Sequence, residues 1–118
     1  MNIKHYTPEA FITVATLEDG IYWLEADGDD VIVTVPQGTD QKQYGLRGPL
    51  GGSITVQGGD GDAIRDGDGI GSAHRVGSGD GDAIRRGDGD GHAIRCGGGN
   101  GFTIRSGNGD GDGGEANT

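Results

Sequence analysis

From Gly59 onward the chain repeats a ten-residue unit: GDGDAIRDGD, GIGSAHRVGS, GDGDAIRRGD, GDGHAIRCGG and GNGFTIRSGN. A unit so poor in large apolar side chains cannot bury a core by itself. Only stacking of successive units does so, which restricts the chain to folds that share a thin interior between neighbours. Glycine recurs at 59, 69, 79, 89, 99 and 109, at 61, 71, 81, 91, 101 and 111, and at 67, 77, 87, 97 and 107. Between these columns run an apolar column, Ile64, Ile84, Ile94 and Ile104 with His74 interposed, and a basic column, Arg65, Arg75, Arg85, Arg95 and Arg105. The preceding stretch, GGSITVQGGD, reads as a degenerate leading copy that places Ile54 in the apolar column.

This pattern predicts an all-β protein, a short Gly-rich β-solenoid with rungs ~4.8 Å apart. Ile54, Ile64, Ile84, Ile94 and Ile104 are its expected interior ladder. Glycine lets the facing wall approach closely and tolerates tight corners. The residue after the basic column is Val56, Val76 and Cys96 in one set and Asp66, Arg86 and Ser106 in the other. That alternation favours coils of twenty residues over coils of ten. A bundle of polyproline II helices is the alternative architecture. Collagen is excluded because glycine does not recur every third residue. Apolar residues are only 31% of the chain, a composition shared with disordered segments, but the ordered apolar column argues for a fold. Stacked arginines repel one another, as do stacked aspartates at 60, 80, 90 and 110. The Arg ladder is therefore expected to be a structural counter-charge to the aspartates, with an anion-binding stripe as the other reading.

Composition changes near Gly48-Pro49. Residues 1–48 hold five of the 28 glycines and the aromatic residues Tyr6, Phe11, Tyr22, Trp23 and Tyr44. They are expected to form an N-terminal β cap, followed by the repeat solenoid over 49–114 and a tail over 115–118. The runs Ile21–Glu25 and Val31–Val35 flank an Asp-Gly turn and predict a hairpin. FITVATL is rich in β-branched residues and predicts a strand, although Thr7-Pro8-Glu9 also carries a helix-start signal. QGTDQKQYGLRG reads as a loop.

The formal net charge of −10 opposes direct binding to nucleic acid or to anionic lipid and favours a basic protein surface. The acidic residues concentrate in one segment, Glu18, Asp19, Glu25, Asp27, Asp29 and Asp30, with Tyr22 and Trp23 among them. An acidic hairpin with an aromatic anchor is the expected partner-binding site. Its alternative is a solvated strand edge. Calcium is suggested by the Gly-Asp repeats, but Ala63 stands where a ligand aspartate is needed. Asn108, Asp110 and Asp112 begin a loop of EF-hand type without its closing glutamate. No metal or cofactor is expected. His5, His74, His92 and Cys96 form no catalytic pattern, so no enzyme is expected, and Cys96 reads as a buried thiol. The single cysteine excludes an internal disulfide, and no apolar run reaches the length of a membrane span. The chain is expected to be soluble and cytoplasmic, with homo-oligomers allowed.

At GDGDAIR the sequence resembles Gly-rich tandem-repeat proteins of phages and prophages, over Gly51–Gly114. The resemblance implies a small accessory viral protein without catalytic residues. Such repeat proteins mostly carry no assigned function; for small acidic phage proteins as a class the expectation is that they block host defence enzymes, such as CRISPR or restriction components, by occupying nucleic-acid sites. The implied function is therefore a noncatalytic binding protein that sequesters a host factor inside the host cytoplasm. A structural or adhesin-type repeat module and a calcium-binding repeat protein are the alternatives.

Overall fold

The computed structural model of the chain describes residues 2–36, 41–107, 109 and 113–116, the last four as backbone. Strands dominate: β1 (Ile3–Tyr6), β2 (Thr16–Glu18), β3 (Ile21–Glu25), β4 (Asp30–Thr34), β5 (Gln43–Arg47), β6 (Ile54–Gln57), β7 (Ala63–Asp66), β8 (Ala73–Val76), β9 (Ala83–Arg86), β10 (Ala93–Cys96), β11 (Thr103–Arg105) and β12 (Gly113–Ala116). One short helix, α1 (Pro8–Val14), follows β1. The strands form two six-stranded sheets, β1-β4-β6-β8-β10-β12 and β11-β9-β7-β5-β3-β2. Pairing is parallel throughout except for β2 against β3. Ala63 pairs with Ala83 and Ala73 with Ala93. Each coil of this β-solenoid therefore takes two decads, twenty residues, and each decad contributes one strand to one sheet. Strands replace the alternative of polyproline II helices.

The first half does not stand apart as a hairpin head. Ile21–Glu25 and Asp30–Thr34 lie in different sheets, because β3 pairs with β5 while β4 pairs with β1 and β6. The Asp-Gly stretch between them turns a solenoid corner. The expected loop QGTDQKQYGLRG contains β5, which pairs with both β3 and β7, so the coils continue across residue 48. The expected strand FITVATL is mostly helix. Thr7 Oγ1 accepts the Ala10 amide at 3.1 Å and Pro8 opens the first turn. These cap signals, with the burial of Phe11, outweigh β-branched propensity. Phe11 meets Tyr6 and Tyr44 edge-on, with centroids 5.6 and 5.1 Å away, and so plugs one end of the solenoid.

The interior differs from the isoleucine ladder. Side chains alternate across a strand, so one residue of register decides every facing. Ile54 pairs with Ala73 and Val56 with Arg75, so the leading copy is offset by one residue from the decad alignment. The inward columns run Tyr44–Ala63–Ala83–Thr103 and Leu46–Arg65–Arg85–Arg105 in one sheet. In the other they run Val31–Ile54–Ala73–Ala93 and Val33–Val56–Arg75–Arg95. Ile54 is buried inside. The remaining isoleucines face outward: Ile64 is covered, Ile84 and Ile94 are half-buried, and Ile104 is 45% exposed. Arg65, Arg75, Arg85 and Arg95 are at most 1% exposed. The interior ladder of the repeat is thus alanine and arginine.

Arginine can serve there because glycine supplies its acceptors. Arg85 donates from Nε to Gly71 O (2.6 Å), from Nη2 to Gly69 O (2.7 Å) and from Nη1 to Gly67 O (3.2 Å). Arg105 repeats this with Gly91, Gly89 and Gly87. At Arg85 and Arg105 the three glycine columns of the decad are the three acceptors of one planar guanidinium, whereas Arg75 reaches Val56, Val76 and Gly59 and its buried Nε has no acceptor among the described residues. At Gly81 a Cβ would overlap the Gly61 carbonyl oxygen and lie 2.7 Å from Arg75 Nε. Bare backbone is therefore required for the carbonyls to reach inward. Charge-assisted hydrogen bonds of this type contribute about 1.5–3 kcal/mol each. Burial and the neighbouring Arg85 push Arg65 down to about 10, so it remains cationic at neutral pH. The aspartates act on the buried arginines through space, Asp60, Asp62 and Asp80 on Arg75 and Asp66, Asp68 and Asp90 on Arg85, while several of their carboxylates hydrogen-bond from coil to coil. Asp62 and Asp82 accept the amides of Asp82 and Phe102 one coil later, each at 2.8 Å, and Asp60 and Asp80 do the same for Asp80 and Asn100.

Candidate binding surface

The acidic segment of the first half is distributed over the coil, and cations from outside it neutralise much of it. Glu18 and Glu25 lie on the outer face of the β3 sheet. Arg47 donates to both, at 3.0 Å to Glu18 and 2.8 Å to Glu25. The hydrogen bond from Arg47 holds the Glu18 carboxyl below its ordinary range, and the two glutamates raise Arg47. Asp27 and Asp29 sit at the corner before β4 and pair with Lys4 at 2.5 and 3.6 Å. The Lys4 hydrogen bond likewise lowers Asp27. Asp19 occupies a turn with φ +53°. Asp30 accepts the Ser53 amide at 3.0 Å. Lys4 and Arg47 escaped notice in the sequence because coil stacking, not proximity along the chain, brings them there. The signal was their separation from Asp27 and Glu25, 23 and 22 residues, close to one coil.

Trp23 is not an exposed anchor. It is 4% exposed and lies across Gly45, whose absent side chain leaves room for the ring. The guanidinium groups of Arg47 and Arg86 stand 5.2 and 5.6 Å from its centre, a cation–π arrangement on both counts. Along the same outer face Glu25, Arg47, Asp66 and Arg86 pair in register, alternating in sign, and Arg86 reaches Asp66 at 3.0 Å. Tyr22 packs half-buried against the core. Of the eight residues expected to form one site, Glu18, Trp23 and Glu25 share this face. Asp27, Asp29 and Asp30 belong to the next corner.

The decads place their carboxylates at the corners and their arginines inside. Asp68, Asp80, Asp88 and Asp90 are exposed, whereas Asp62 is half-buried and its carboxyl is pushed up by desolvation. His74, outward between Thr55 and Ile94, is pushed down by burial and by His92. Cys96 is half-buried beside Val76 on that outer face. Among the described residues no three His, Cys, Asp or Glu side chains gather closely enough to hold a metal ion. Asn108, Asp110 and Asp112 lie outside the described residues. No helix among the described residues is long and apolar enough to cross a membrane. Searches of protein-family models, curated proteins and solved structures return no match to this chain.

Proposed function

We propose that the chain is a noncatalytic acidic binding protein that sequesters a host factor through that factor's basic surface. The observation that carries this reading is the internal placement of arginine. Nine Lys and Arg oppose nineteen Asp and Glu. Four of the nine, Arg65, Arg75, Arg85 and Arg95, are buried against backbone carbonyls. Nine less four leaves five basic side chains for the surface. Three of those, Lys4, Arg47 and Arg86, are in ion pairs that cancel carboxylates in turn, so the acidic excess at the surface comes from the buried four. The solvent therefore meets a surface more acidic than the formal charge of −10 suggests. Such a surface steers basic partners and repels nucleic acid. The phage-type resemblance of the decads supports an inhibitory role toward a host defence component.

The test is capture by immobilised chain from bacterial lysate, with identification of what is retained. A basic protein that is released by about 0.5 M NaCl, where screening is strong, is the expected outcome. Retention that ignores salt, or retention of acidic proteins only, overturns the reading. The adhesin-type alternative predicts trimers, which sedimentation of the free protein distinguishes.

A further inference from the structure

One corner of the solenoid carries a groove that runs along the stacking axis. Its volume is about 620 Å³, and its walls come from four successive coils. Asp30, Ser53, Ser72 and His92 form one column there. Asp30 Oδ1 accepts the Ser53 amide at 3.0 Å, Ser53 Oγ accepts the Ser72 amide at 2.9 Å, and Ser72 Oγ accepts the His92 amide at 3.0 Å. Beside this column the lining is glycine backbone and Ile70, which is 71% exposed. Asp90 lines the far end, on the coil of His92. No Lys or Arg lines the groove. An apolar middle thus lies between a carboxylate on the first coil and another on the fourth. Three rung spacings separate the two, roughly 14 Å.

An extended chain covers roughly 13 Å in four residues, and residues i, i+2 and i+4 share one face. We propose that this groove docks an extended segment of a protein partner with the pattern basic–x–apolar–x–basic. The two basic side chains meet Asp30 and Asp90, and the apolar one covers Ile70. This rests on the reading of the chain as a binder of basic proteins, and gives that partner a spacing and a place. Charge complementarity selects the occupant, because a carboxylate lines each end of the groove, with His92 beside Asp90, while Ile70 and glycine backbone line the middle next to the serines.

The probe is the peptide acetyl-Lys-Thr-Leu-Thr-Lys-amide, titrated into the isotopically labelled full chain at pH 7.5 and followed by amide chemical shifts. Shifts should concentrate at Ser53, Ile70, Ser72 and His92. A permuted peptide of the same composition, with adjacent lysines, should bind at least fivefold more weakly. Ile70→Ser and Asp90→Asn, both at exposed side chains, should each weaken the first peptide at least threefold. Asp60→Asn with Asp80→Asn, at the opposite corner, should change it less than twofold. Equal binding of the two peptides overturns the groove, as does an opposite-corner variant as damaging as Asp90→Asn. So does spermine that displaces the peptide with equal affinity. In each case salt-sensitive capture of a basic protein would still stand by itself, so the two failures are distinguishable. No shift with either peptide also overturns the groove.

Discussion

The early coils and the late coils share a backbone path but fill it differently. Between β4, β5 and β6 the interior is Val31, Val33, Tyr44, Leu46, Ile54 and Val56, closed by Phe11. From β7 onward the same columns hold alanine and arginine, in register with the apolar residues before them. Leu46 pairs with Arg65, and Val56 with Arg75. In the first region hydrocarbon contact fills the space, and only the corner between β5 and β6 already turns its carbonyls, at Gly48, Leu50 and Gly52, to the first arginine, Arg65. In the second, guanidinium groups span the interior and every corner must offer carbonyls, so glycine becomes periodic. A thin parallel solenoid can therefore be filled by shape or by hydrogen bonds, and the choice is written into the corners rather than the strands.

The largest expected effect separates the two kinds of interior. Arg85→Met keeps much of the volume but removes the donors to Gly67, Gly69 and Gly71, and should cost about 4 kcal/mol in denaturant unfolding. Leu46→Met, in the apolar region, should cost under about 1.5 kcal/mol. Next, Gly81→Ala drives a methyl into the Gly61 carbonyl and toward Arg75, for about 3 kcal/mol. Isoleucine sharpens the comparison further. Ile54→Ala should cost about 3 kcal/mol, whereas Ile104→Ala, on a 45% exposed residue, should cost under about 1 kcal/mol. An equal loss at both would restore the interior isoleucine ladder. The smallest effect concerns pH. His74 titrates lower when folded, so the unfolded chain takes up its proton first. Stability should fall as pH drops below about 6.5. His74→Ile, the residue found in the other decads, should flatten that part of the curve.

Much of this architecture was legible in the repeat. Stacked strands followed from the period, and the twenty-residue coil from the alternation after the basic column. The facing of the strands was not legible, for a specific reason. In AIR, isoleucine looks like the residue to bury, and arginine does not, unless one sees that G-x-G-x-G can deliver its carbonyls to a guanidinium. The leading copy added to the error, because ITV aligns with HRV by composition but pairs with AHR, one residue earlier, in the sheet. The acidic segment failed for a different reason. Its residues are near one another in sequence, yet a solenoid corner sends Glu25 and Asp30 to different sheets. The spatial neighbours of Glu25 are one coil away, at Arg47.

The arginine–carbonyl interior also governs how the molecule answers to temperature. Unfolding an ordinary domain wets a large area of hydrocarbon, and the heat capacity rises by about 12–15 cal/mol/K per residue. Here the later coils release mainly amide and guanidinium groups, whose hydration lowers heat capacity. Calorimetry should find an increment well beneath that range and a broad, shallow stability curve. Cooling would then take little away from the repeat, because water grows no kinder to a spine that was never oily.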